Sequence, residues 1–118
     1  MILHIISRSA WAEAERKGVY RAASLDQEGF IHFSKPEQVV GTANRFYQGQ
    51  HDLALLLVDP TKLRTDLRYE PPAESPESSE RFPHLYGALN LNAVVRIVDF
   101  PPDSDGRWSA LPSGVENG

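Results

Sequence analysis

Cysteine is absent from the 118 residues, which excludes a disulfide framework, a zinc ribbon and a thiol nucleophile. Long apolar runs are missing too. The longest, Leu53 to Val58, is far short of the roughly 20 residues a membrane span needs. The amino terminus shows neither the basic start nor the cleavage pattern of a secretory signal, so a cytoplasmic location is the expectation. Nor is there an excess of basic charge. With 12 Lys and Arg against 16 Asp and Glu the net charge is -4, which speaks against an extended nucleic-acid footprint. The usual catalytic signatures are lacking as well: no G-x-S-x-G, no P-loop and no G-x-G-x-x-G.

What is present fits one compact domain. Hydrophobic residues make up 41% and charged residues 24% of the chain, and folding at this length buries roughly 65% of the surface the unfolded chain exposes. The charge is unevenly spread. Residues 71–83 and residues 101–118 each carry -2, and the rest of the chain balances to zero. A single domain over residues 1–102, neutral apart from its acidic loop, with a polar acidic tail over 103–118, is therefore expected.

Met1 to Ile6 reads as a buried strand interrupted by His4. Ser7 or Ser9 can cap a short helix that stops at Gly18. The stretch around Tyr20, Ser24 and Leu25 is read as irregular, and Gly29 as the opening of a strand that ends at Ser34. Ser34-Lys35-Pro36-Glu37 spells a capping box. Behind it Val39, Val40, Ala43, Phe46 and Tyr47 recur at helical spacing as far as Gly49. Leu53 to Val58 reads as a central strand buried on both faces. Asp66 to Glu70, His84 to Gly87 and Ala93 to Phe100 are further strands, and residues 71–83, rich in proline and glutamate, form a loop. The Trp108 to Leu111 patch and Val115 are apolar enough to dock on the body. The class is α+β, with two amino-terminal helices and about six mostly antiparallel strands.

Three of the four histidines lie in strand-like apolar surroundings: His4 in Leu3-His4-Ile5, His32 in Ile31-His32-Phe33, and His84 between Pro83 and Leu85. A buried imidazole needs partners, and a core histidine bonded to backbone carbonyls explains any single one. Three in one small domain point to a shared polar pocket. Spacings of 28 and 52 residues would need three strands to converge before the same histidines could hold a metal, and no H-E-x-x-H pair is present, so no metal is expected. His51, beyond a helix end, reads as a solvated loop residue. Ser34, Asn44, Arg45, Glu28 and the Arg68-Tyr69-Glu70 set are the other polar candidates, each with an ordinary structural explanation. Phe82-Pro83-His84-Leu85-Tyr86-Gly87 stands where a loop runs into a strand, a common place for binding.

MILHI, Ser24-Leu25, Glu28 to Ser34, Glu37-Gln38-Val39, Ala43 to Phe46, Leu55 to Pro60 and Phe82 to Gly87 occur in an order that resembles the bacterial family catalogued as domain of unknown function 952. That family is in turn similar to the ADP-ribosyltransferase-like superfamily. Its members carry a histidine or arginine on the first strand, a tyrosine or histidine on a second strand after a glycine, and a variable third residue on a later strand. The resemblance places His4 first, His32 second and His84 or Tyr86 third, where no unambiguous glutamate stands. It implies NAD or a related nucleotide as ligand. His4, His32, His84 and Tyr86 would be the catalytic set, and His4, Ser34, Asn44 and Arg45 would hold the cofactor. The implied reaction is cleavage of the nicotinamide glycosidic bond through an oxocarbenium-like state. A related branch removes a 2'-phosphate from RNA, for which Arg8, Arg21 and Arg45 are the available cations. A non-enzymatic module for a small metabolite or partner, and a metal-dependent hydrolase, are the alternatives. Oligomeric state is not legible.

Overall fold

The computed structural model describes residues 1–115. β1 (Ile2–Ser7) is followed by α1 (Arg8–Lys17), β2 (Val19–Tyr20), α2 (Ala23–Glu28), β3 (Ile31–His32) and α3 (Pro36–Phe46). Then come β4 (Leu53–Val58), β5 (Asp66–Glu70), β6 (Phe82–Tyr86), β7 (Leu89–Asn90) and β8 (Val94–Asp99). Two three-stranded sheets carry the fold, ordered β1-β4-β8 and β3-β6-β5, and β2 pairs with β7. All pairings are antiparallel. The two larger sheets meet where Leu3 and Ser34 exchange backbone hydrogen bonds of 2.8 Å in each direction. Across that bridge the strands run β5-β6-β3-β1-β4-β8.

Side chains alternate between faces along a strand, and here the alternation builds two cores. Ile2 and Ile6 of β1 and Ala54, Leu56 and Val58 of β4 pack with Trp11, Ile31 and Leu85 on one side. Leu3 and Ile5 with Leu53, Leu55 and Leu57 pack with Val39, Ala43 and Phe100 on the other. β4 is buried along its whole length, as its unbroken apolar run requires. Trp108 and Val115 join the second core, so the acidic carboxy-terminal segment lays apolar side chains on the body. Trp108 is fixed there by its indole N–H, which donates to the Phe100 carbonyl at 3.1 Å.

Several local expectations need correction. Among the described residues there are three α-helices and eight strands, because the stretch read as irregular holds β2 and the short α2, and the two-residue β7 follows β6. Gly29 opens no strand. It ends α2 with φ +91°, its N–H reaching the Ser24 and Leu25 carbonyls at 3.2 and 3.1 Å. Extended pairing of β3 covers only two residues. The capping box is displaced by one residue: Lys35 is the N-cap, and the Gln38 side chain, not Glu37, accepts its backbone N–H at 2.9 Å. Ser34 is occupied with the bridge to β1. β6 begins at Phe82, so Phe82 and Pro83 belong to a strand instead of the loop. Pro83 has no N–H to give, and its carbonyl accepts from Phe33 at 3.0 Å.

Candidate functional site

β6 runs between β3 and β5, and its register sets His84 opposite both His32 and Arg68. Directly opposed residues share a face, as do residues two apart. His32, His84, Tyr86, Arg68 and Glu70 therefore form one polar layer, while Ile31, Leu85 and Leu67 turn to the first core.

Within that layer His84 is 3% exposed and stacks on Phe30, with ring centroids 4.0 Å apart at 19°. Its Nδ1 donates to Glu70 Oε1 at 2.9 Å, and the Tyr86 hydroxyl donates to the same oxygen at 2.6 Å. The Tyr86 and His84 hydrogen bonds hold the Glu70 carboxyl below its ordinary range. Tyr86 is pushed up, chiefly by the hydrogen bond that its hydroxyl donates to Glu70 and would lose on ionising. The Arg68 guanidinium sits 4.4 Å from the centre of the Tyr86 ring. Glu70 thus fixes the imidazole tautomer, leaving Nε2 as the acceptor. Nε2 makes no hydrogen bond among the described residues.

His84 and His32 lie edge to face, 5.6 Å between ring centroids. His32 Nε2 bonds Glu28 Oε2 at 2.8 Å, a pairing that the tight Gly29 turn makes possible between the end of α2 and β3. Both histidines and Glu28 open on a cavity of about 290 Å³ between β1, β3, α3 and the loop after β5. Phe33, Phe46, Tyr47 and Phe82 give it aromatic walls, and Ser34, Thr42, Arg45 and Glu74 line the far side. Burial raises the Tyr47 hydroxyl above its ordinary pKa.

The other residues singled out from the sequence lie elsewhere. His4 is on the Ile2 and Ile6 side of β1, away from the cavity. Its Nδ1 donates to the His32 carbonyl at 2.6 Å and its Nε2 accepts from the Tyr20 hydroxyl at 2.9 Å. Burial depresses its pKa to about 4, against the pull of the carbonyl bond, and both nitrogens are satisfied. The Asn44 amide is spent on the Trp108 backbone, donating to its carbonyl at 2.8 Å and accepting its N–H at 2.9 Å. Ser34 lines the cavity but is buried, its hydroxyl donating to Thr42 Oγ1 at 3.3 Å. Arg45 pairs with Glu74 at 3.1 Å. Arg8 and Arg21 pair with Asp99 and Asp26, and neither lines the cavity. Phe30, Tyr47 and Glu74 were not singled out by sequence reasoning. Phe30 and Tyr47 carry the same apolar signal as core residues, and nothing in the pattern of residues 71–83 marks Glu74 apart from Glu77 and Glu80. Among the described residues no group of three or more His, Asp or Glu side chains is arranged to hold a metal ion.

A family described as protein of unknown function, DUF952, matches residues 5–97. The chain belongs to this DUF952 family. Among solved structures it is similar to protein CC0527 from Caulobacter crescentus: the crystal structure is 37% identical, with 90% of each chain covered and a TM-score of 0.78. The solution structure of the same protein is 35% identical at a TM-score of 0.69, covering 90% of this chain and 89% of that one. Comparison with curated proteins returns no match. No helix among the described residues is long and apolar enough to cross a membrane.

Proposed function

We propose that this DUF952 protein binds NAD or a related ribose-containing nucleotide in the cavity, as an ADP-ribosyltransferase-like enzyme acting on the nicotinamide glycosidic bond. One observation carries the reading: His84 is buried, held by Glu70 through Nδ1, and lines the cavity with Nε2 free to accept. The three strands on which the superfamily resemblance places its residues, β1, β3 and β6, are also neighbours in the composite sheet.

In this reading the aromatic walls take the planar groups of the ligand and Nε2 of His84 meets a hydroxyl. When the bond between C1' and nicotinamide breaks, its electron pair leaves with the neutral nicotinamide, so no acid is needed for departure. The cation left on the sugar is stabilised by nearby negative charge. Glu28, in the cavity wall beside His32, supplies a carboxylate from the end of α2. As the acceptor oxygen bonds C1', its proton passes to His84 Nε2. Glu70 orients the imidazole and stabilises the imidazolium. His4 plays a supporting part, since it holds the His32 carbonyl from behind the sheet.

Calorimetric titration with NAD and ADP-ribose, alongside His84→Ala and His32→Ala, is the test. Binding that His84→Ala weakens tenfold or more is expected. No heat at millimolar ligand overturns the reading. Binding without nicotinamide release, whatever acceptor is offered, would instead identify a non-enzymatic binding module.

A further inference from the structure

Arg45 is the one Lys or Arg side chain lining the cavity among the described residues, while Glu28 and Glu74 put two carboxylates there. An anionic ligand group has a single cationic place to go. That place is taken. Arg45 Nη2 meets Glu74 Oε1 at 3.1 Å, with the two side chains 56% and 42% exposed. Arg45 is set by the last turn of α3, where a cation suits the helix end, and its guanidinium lies 5.1 Å from the Phe46 ring centre.

Glu74 is delivered from the loop between β5 and β6. Pro72 is buried, and the Ser75 N–H closes a turn onto the Pro72 carbonyl at 3.0 Å. At its far end the loop is pinned by Gln38, whose Nε2 donates to the Arg81 carbonyl at 2.8 Å. Between these fixed points Glu74 reaches back over the cavity rim to Arg45. A solvent-exposed ion pair of this kind contributes little, whereas a phosphoryl group can engage a guanidinium with two parallel hydrogen bonds.

We infer that Arg45 is the subsite for a phosphoryl group of the ligand, and that Glu74 fills it in the free protein as an internal carboxylate competitor. The ligand then lies with its phosphoryl end at the carboxy-terminal end of α3 and its ribose end at His84. This orientation rests on the nucleotide reading of the cavity; the competition between Glu74 and an oxyanion does not.

Inorganic pyrophosphate, ADP-ribose and adenosine are titrated into the wild-type protein, Glu74→Gln, Arg45→Gln and the double variant. Glu74→Gln is expected to bind pyrophosphate and ADP-ribose up to about fivefold more tightly, the fold equivalent of about 1 kcal/mol, and adenosine unchanged. In the Arg45→Gln background the gain should vanish. A gain that persists without Arg45, or that extends to adenosine, means general repulsion by Glu74 and overturns the proposal. So does the absence of pyrophosphate binding in both the wild type and Glu74→Gln. If pyrophosphate behaves as expected and ADP-ribose does not bind, the subsite stands and the nucleotide reading falls.

Discussion

Mild acid should destabilise this protein through His4. Its folded pKa of about 4 compares with an ordinary value of 6.5, so between these limits the unfolded chain binds a proton that the folded one refuses. Stability therefore rises with pH through this window and falls as the pH drops from 6.5 towards 4. By linkage the loss is about 2 kcal/mol at pH 5 and about 3 kcal/mol at pH 4, relative to pH 8. That is a large share of the 5–15 kcal/mol typical of a small domain. The carboxylate of Glu70, held below its ordinary range, adds its own loss only at lower pH. Urea unfolding at pH 8, 6, 5 and 4.5 on the wild type and on His4→Gln isolates the effect, since glutamine has no proton to take up. The two curves should converge by about 2 kcal/mol between pH 8 and pH 5. Parallel curves would refute the reasoning. A direct NMR titration of the His4 ring decides the matter should His4→Gln fold poorly: a midpoint near 6.5 would show that burial does not control this imidazole.

Asn44→Ala removes both hydrogen bonds to the Trp108 backbone and should cost about 1–3 kcal/mol, with the Trp108 emission shifting to the red in a Trp11→Phe background. Gly87→Ala would place a Cβ 2.5 Å from Thr65 Cγ2. A loss of about 1–3 kcal/mol, relieved in part by Thr65→Gly, is the outcome expected from thermal unfolding. Glu70→Gln keeps the size of the side chain but loses the charge that fixes His84. It should lower any nicotinamide release at least tenfold while leaving the melting temperature within a few degrees, and equal turnover would remove Glu70 from its positioning role.

Much of the fold was legible because the strands alternate or run apolar throughout. Leu53 to Val58 could only be central, and β1 shows its two faces in Ile2 and Ile6 against Leu3 and Ile5. Elements of two residues, such as β2 and β7, escape periodicity altogether, since a period needs several repeats to be seen. α2 was hidden for the same reason: six residues with no buried side chain give no amphipathic stripe. The displaced cap shows a different limit. Ser34-x-x-Glu37 satisfies the pattern, but Ser34 had a stronger engagement in the bridge to Leu3, which lies 31 positions earlier in the chain.

The site was half legible. His32 and His84 do share a cavity, yet His4, alike in its apolar setting, faces the other core. The parity of β1 separates Leu3 and Ile5 from His4, but sequence alone does not say which face meets a cavity and which a tyrosine. The pairing of His84 with Glu70 depends on β5 lying beside β6, and the long loop between them conceals that adjacency. Asn44, placed on a helix beside Arg45, drew attention by its neighbour, while its partner Trp108 stands 64 residues away.

The central claim is that His84 Nε2 meets a nucleotide in the cavity, and long-range nitrogen NMR of the imidazole side chains tests it most directly. On adding NAD or ADP-ribose the Nε2 resonance of His84 should move in proportion to saturation, His32 should follow, and His4 should stay in place behind the sheet. Silence at His84 at millimolar nucleotide, or shifts confined to the Trp11 and β8 side of the molecule, would contradict it.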